Sequence, residues 1–216
     1  MSRSGDVLTL LDTLESHTDL FGPHHPLTLD AVHRLAMALW ATGDIGGAAG
    51  LLEEVLDRAT SHLGIEHPLR VEILASLGEM MFEQHRLEQA GEIHRELLES
   101  RIRHAGANHP SALAAKGDLA AVLFELGHEE EAAGLEREAS ESALTHLGKC
   151  HSVTCVLAWN RALNYERRGD PDSAKRIFTE ELVWLLAEDP SRLEQDQNIV
   201  RSMLAERFNW DSAKAC

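Results

Sequence analysis

One period governs this sequence. Gly22, Gly64, Gly106 and Gly148 recur every 42 residues, and so do His25, His67, His109 and His151. Pro26, Pro68 and Pro110 follow the first three histidines, and Ser152 takes the fourth place. Gly43, Gly127 and Gly169 form another column, with His85 in its gap, and Ala48, Ala90, Ala132 and Ala174 form a third. Several independent columns at one spacing mean internal repeats. Repeats of this length mean a solenoid, because a single unit cannot cover its own apolar face and its neighbours do so.

Each period holds two helices. In "PLTLDAVHRLAMALWATG", Leu29, Val32, Leu35, Ala36 and Leu39 recur at helical spacing. Pro26 suits the first turn, where its missing N–H is not needed, and Gly43 suits a left-handed cap. "GGAAGLLEEVLDRATSHL" supplies the second helix. In the fourth period Asp170 caps it with Pro171 next, and in the third Glu129, Glu130 and Glu131 open it where the helix dipole favours negative charge. The recurrent alanine lets two helices approach closely. The expected fold is an all-α solenoid of stacked antiparallel helix pairs, with about ten helices in one domain over 1–216. It comprises an N-terminal capping helix at 6–21, repeats at 22–63, 64–105, 106–147 and 148–189, a C-terminal capping helix at 190–210 and a tail at 211–216.

Charge narrows the partner. The formal net charge is −16 at pH 7, so a nucleic acid or an anionic membrane surface would meet repulsion rather than a basic face. The N-terminus shows neither a signal peptide nor a membrane-spanning run. The three cysteines, Cys150, Cys155 and Cys216, do not form a disulfide framework. A reducing cytoplasm is the expected setting.

The stretch "GPHHPLTLDAVHRLAMALWATGDIGGAAGLLEEVL" resembles the tetratricopeptide repeat (TPR) in its 42-residue, kinesin light chain-like form, and the resemblance runs over residues 6–208. It implies a right-handed superhelix whose concave groove is lined by the first helix of each repeat. It also implies an adaptor or scaffold that binds proteins, without a cofactor and without catalysis. In the column where the family carries an asparagine that grips a peptide backbone, this chain has Arg34, Ser76, Asp118 and Asn160; only Asn160 keeps the amide.

Through the resemblance, the groove takes Asp30, His33, Met37 and Trp40 from the first repeat and Glu72, Glu79, Phe82 and Glu83 from the second. Phe124 and Glu125 come from the third, Trp159, Asn160 and Leu163 from the fourth, and Arg201 from the closing helix. Trp40, Phe82, Phe124 and Phe208 share one column, either as an apolar binding surface or as core between adjacent helices. The carboxylates are either a solvated face or a selector for positive charge. Together they suit a peptide or amphipathic helix with basic and apolar residues.

Two other clusters invite chemistry. His146, Cys150, His151 and Cys155 have the residue types of a zinc site. However, His146 repeats the column of His62 and His104, and His151 belongs to the His-Pro column, so the repeat accounts for both. Asp30, His33 and Glu72 could form the polar or metal centre of a small-molecule-binding protein or enzyme, in a bacterial biosynthetic pathway for example. A self-association module is a third class. The sequence has no Gly-rich phosphate loop, Gly-x-Ser-x-Gly elbow or His-Glu-x-x-His, and no catalytic residue is assigned.

Overall fold

A computed structural model describes the backbone of residues 3–209 and the side chains of 7–209; Trp210 and the tail 211–216, with Cys216, lie outside the described residues. Among the described residues there are ten helical rods and no strand. The chain divides into two compact units, residues 1–100 and 101–216.

In the first unit, α1 (Arg3–Phe21), α2 (Pro26–Thr42), α3 (Ile45–Leu63), α4 (Pro68–Glu83) and α5 (Leu87–Ala105, up to Ser100 within this unit) follow in order. Neighbours pack in sequence, α1 on α2, α2 on α3 and α3 on α4. Leu29, Leu52, Val55, Ile73, Leu74 and Met80 are almost wholly enclosed. Enclosing each such side chain contributes about 1.5–3 kcal/mol. Ala48 and Ala90 are fully buried, as close helix approach requires. Arg70 is buried too: its guanidinium reaches Thr60 Oγ1 at 3.1 Å on α3 and pairs with Glu96 on α5.

In the second unit, α6 (Pro110–Glu125) pairs with α7 (Glu129–His146), and α8 (Ser152–Arg167) pairs with a broken rod. That rod is α9 (Pro171–Arg176), a π-helical turn (Ile177–Leu182) and α10 (Trp184–Ala187). A 3₁₀ turn (Pro190–Arg192) leads to α11 (Gln195–Arg207), which packs on α8 and α10. Ala132 and Ala174 are again fully buried. The core around α8 joins Cys155, Ala158, Trp159, Phe178, Leu182, Leu185, Val200 and Leu204.

The corners explain the histidine column. His25, His67, His109 and His151 are N-caps in extended backbone, and each Nδ1 accepts the N–H two residues on, at 3.2, 3.2, 3.3 and 3.2 Å. An unprotonated ring nitrogen thus takes the place of the usual Ser or Asp oxygen. Gly64, at φ 90° and ψ 163°, sits in a region that is essentially closed to other residues. At the other helix ends His85 adopts φ 56°, the left-handed geometry that glycine supplies in the matching columns. The last corner departs from the period. The N-cap of α11 is Glu194, which forms a reciprocal box with Gln197. Gln197 also donates to the carbonyl of Cys150 at 2.6 Å.

Candidate functional site

The first-helix faces carry the candidate binding residues, and the two units arrange them differently. In the first unit, His33 is half-buried on α2, and its Nε2 lies 2.9 Å from Ser76 Oγ on α4. Burial holds the His33 pKa below its usual value, while the carboxylates of Asp30 and Glu72 pull it back up. The expected trio is therefore gathered around one ring, but the direct partner is Ser76. Met37, Trp40 and Phe82 are half-buried and Glu72, Glu79 and Glu83 exposed. The Trp40 indole N–H donates to Glu83 Oε2 at 2.8 Å, so an aromatic of one first helix is tied to a carboxylate of the next.

In the second unit the same rung is cationic. Arg167 donates to Glu125 at 3.0 Å, and its guanidinium lies 5.6 Å from the centroid of the half-buried Phe124 ring. Arg168 covers the same ring at 5.3 Å. Glu166, which interrupts the aromatic column, pairs with Arg207. Trp159 was expected in the groove. It is 7% exposed and packs 5.2 Å from Phe178, inside the core. Leu163 packs against that core as well, and Arg201 donates to the Leu185 carbonyl at 3.1 Å.

Asn160 lines a small cavity of about 70 Å³ together with Gly117, Asp118, Val156, Leu157 and Asp196. Gly117 matters for its shape. A Cβ there would lie 2.5 Å from a methyl of Leu157. Spacing alone did not reveal this cavity; a glycine inside the apolar pattern of a first helix is the signal that could have marked a close approach.

The four zinc candidates do not converge. His146 donates from Nδ1 to the Ser142 carbonyl, 2.9 Å away, and its Nε2 faces the Asn108 amide at 3.1 Å. His151 is occupied as an N-cap. Cys155 is buried, and burial pushes its thiol up to about 11. Among the described residues no three potential ligands come together.

Family models for the tetratricopeptide repeat match residues 28–69 and 64–145, together more than half of the chain. The chain belongs to the tetratricopeptide repeat family. Such TPR repeats generally mediate protein–protein interaction. The fold is that of solved kinesin light chain-like repeats. One is a variant of the nearly identical TPR-like repeats of a kinesin light chain candidate from Podosopora anserina, with TM-score 0.75, 21% identity and coverage of 96% of this chain and 89% of that one. Another is BtubC (BKLC) from P. vanneervenii, with TM-score 0.68, 20% identity and coverage of 100% and 87%. At these identities the likeness establishes the fold alone. Among curated proteins, none matches the sequence. No helix of this TPR protein, among the described residues, is long and apolar enough to cross a membrane.

Proposed function

We propose that this TPR protein is an adaptor that captures a peptide or amphipathic helix of a partner protein on its first-helix faces. The cavity beside Gly117 carries the reading. Its apolar side, Val156 and Leu157, suits an aliphatic anchor, and Asp118 and Asp196 beside it suit a lysine or arginine next to that anchor. In the first unit Met37, Trp40 and Phe82 offer half-buried apolar surface beside Asp30, Glu72 and Glu83. The excess of acidic over basic residues, 36 against 20, favours basic partners at long range.

Selection of a random peptide library on the purified protein tests this reading. Enrichment of sequences that combine Lys or Arg with aliphatic or aromatic residues is expected. Gly117→Ala should weaken the selected peptides, because the added methyl drives Leu157 into the cavity. An absence of enrichment, or enrichment of acidic sequences, would overturn the reading.

A second reading, small-molecule chemistry around Asp30, His33 and Glu72, is favoured by one observation. A neutral histidine lies within hydrogen-bond reach of a serine, the spacing of a nucleophile and its base. Among the described residues the ring donates no hydrogen bond to Asp30 or Glu72, which leaves this reading second. Ester hydrolysis that disappears in Ser76→Ala and His33→Ala alike would promote it.

A further inference from the structure

The fourth repeat breaks a pattern that the other three keep. Leu35, Leu77 and Leu119 share one first-helix column and are 5%, 4% and 4% exposed; the fourth residue of that column is Arg161. Val55, Leu97 and Ala139 share a second-helix column and are at most 2% exposed; its fourth residue is Glu181. Tyr165 follows Leu39, Met81 and Leu123 in the same way. Two core columns therefore turn charged together in one repeat, and a third gains a phenol hydroxyl. The rod that carries Glu181 is also the one that contains the π-helical turn. Such turns recur at functional sites, because the inserted residue re-aims side chains.

These residues surround a cavity of about 190 Å³, which Ser173, Arg176 and Glu180 complete. Its volume corresponds to about six waters of liquid, the scale of an amino acid rather than of a nucleotide. Arg161 donates to Glu181 at 2.5 Å, while its Nε is buried with no partner among the described residues. Among the described residues Arg176 donates to the Ser173 hydroxyl, at 3.1 Å. The lining thus has two guanidinium groups, two carboxylates and two hydroxyls. A simple anion would meet both carboxylates, and a simple cation both guanidinium groups. A molecule with both charges meets a match for each.

We propose that this cavity binds a small zwitterion of amino-acid size, with a carboxylate and an ammonium group. The carboxylate is received by Arg176, with the Arg161 guanidinium beside it. The ammonium group faces Glu180, with Glu181 retained by Arg161. The hydroxyls of Tyr165 and Ser173 orient the ligand. The site stands apart from the first-helix faces and does not depend on the peptide reading. Charged residues placed at positions built for leucine and valine weaken packing, and such violations of a local rule mark functional sites.

The test is isothermal titration of the full chain with each of the common amino acids at millimolar concentration, with acetate and methylamine run alongside. Saturable binding of at least one amino acid is expected, with none for acetate or methylamine. Arg176→Ala, at an exposed position, should weaken it by about tenfold or more. The variant that combines Arg161→Leu, Tyr165→Leu and Glu181→Val should retain its helical circular dichroism and lose binding. If that variant does not fold, Arg176→Ala decides alone. The proposal is overturned if no amino acid binds, if Arg176→Ala binds as wild type does, or if acetate alone binds as tightly as any amino acid.

Discussion

On the seam where α3 packs on α4, Leu52 and Val55 lie on one helix and Ile73, Leu77 and Met80 on the other, all at most 4% exposed. Where α7 packs on α8, the matching places hold Glu136 and Ala139, then Leu157, Arg161 and Asn164. There Asn164 and Arg168 both bond to the buried Glu136 carboxylate. Ser140 Oγ, Thr154 Oγ1, Arg161 Nε and Arg168 Nε, buried on those two helices and the turn that follows, have no partner among the described residues. At these five positions the helix-pair geometry is built from apolar side chains in the first unit and from a polar network in the second, while the buried Arg70 of α4 bonds to Thr60 of α3 elsewhere on the first seam. Stacking requires only volume and fit. Charge is an addition, and each unpaired buried polar atom is unfavourable: among the described residues the α7–α8 seam and its following turn hold these four, whereas α3 and α4 hold the Nε of Arg58.

The comparison can be broken most severely by moving the polar chemistry to the first seam. Leu77→Arg places a guanidinium in an apolar core that has no Glu181 equivalent. It should lose about 3–5 kcal/mol, read as a collapse of the urea midpoint. The reverse exchange should cause a smaller change of opposite sign. Arg161→Leu with Glu181→Val should raise stability by about 1–2 kcal/mol, whereas Glu181→Val alone, which strands Arg161, should lower it. Hydrogen exchange of α8 amides would locate both effects.

The helix ends give a finer contrast. His85 holds a left-handed φ of 56° in the first unit where Gly127 holds 80° in the second. His85→Gly should therefore stabilise by about 0.5–1 kcal/mol in thermal unfolding. Gly127→His should do the opposite.

The smallest effects are those of pH, and their signs differ between the units. Burial lowers the His33 pKa in the first unit, so the folded state binds fewer protons than the unfolded one just below the usual value of 6.5. The histidine's contribution is full above that value and is lost as pH falls. Burial raises the Glu136 pKa in the second unit, against the opposing pull of Asn164, Arg168 and Arg161. Its folded form holds a proton longer, so stability declines as pH rises above the usual 4.5. Unfolding across this range should lose the first slope in His33→Asn and the second in Glu136→Gln.

The architecture was legible because it is written in repetition. The glycine, histidine and alanine columns each repeat one local geometry, and repetition makes even an unusual N-cap such as His25 visible. The candidate site was legible only in part. Helical spacing located Asp30, His33 and Glu72 on one face, but the bond to Ser76 depends on how far α2 and α4 are offset along their axes. Trp159 occupied a groove column and still became core, because the π-helical turn brings Phe178 against it. The polar fourth-repeat columns stood in the sequence throughout. Their meaning emerged only when the leucines and valines they replace proved to be buried.

The central claim is that the first-helix face around Gly117 binds a protein segment. The measurement that tests it most directly is the affinity of a library-selected peptide for wild type and for Gly117→Ala, by titration, with helical content checked on both. The account predicts binding weakened by about tenfold or more with the helices intact. Equal affinity in two equally folded proteins would contradict it.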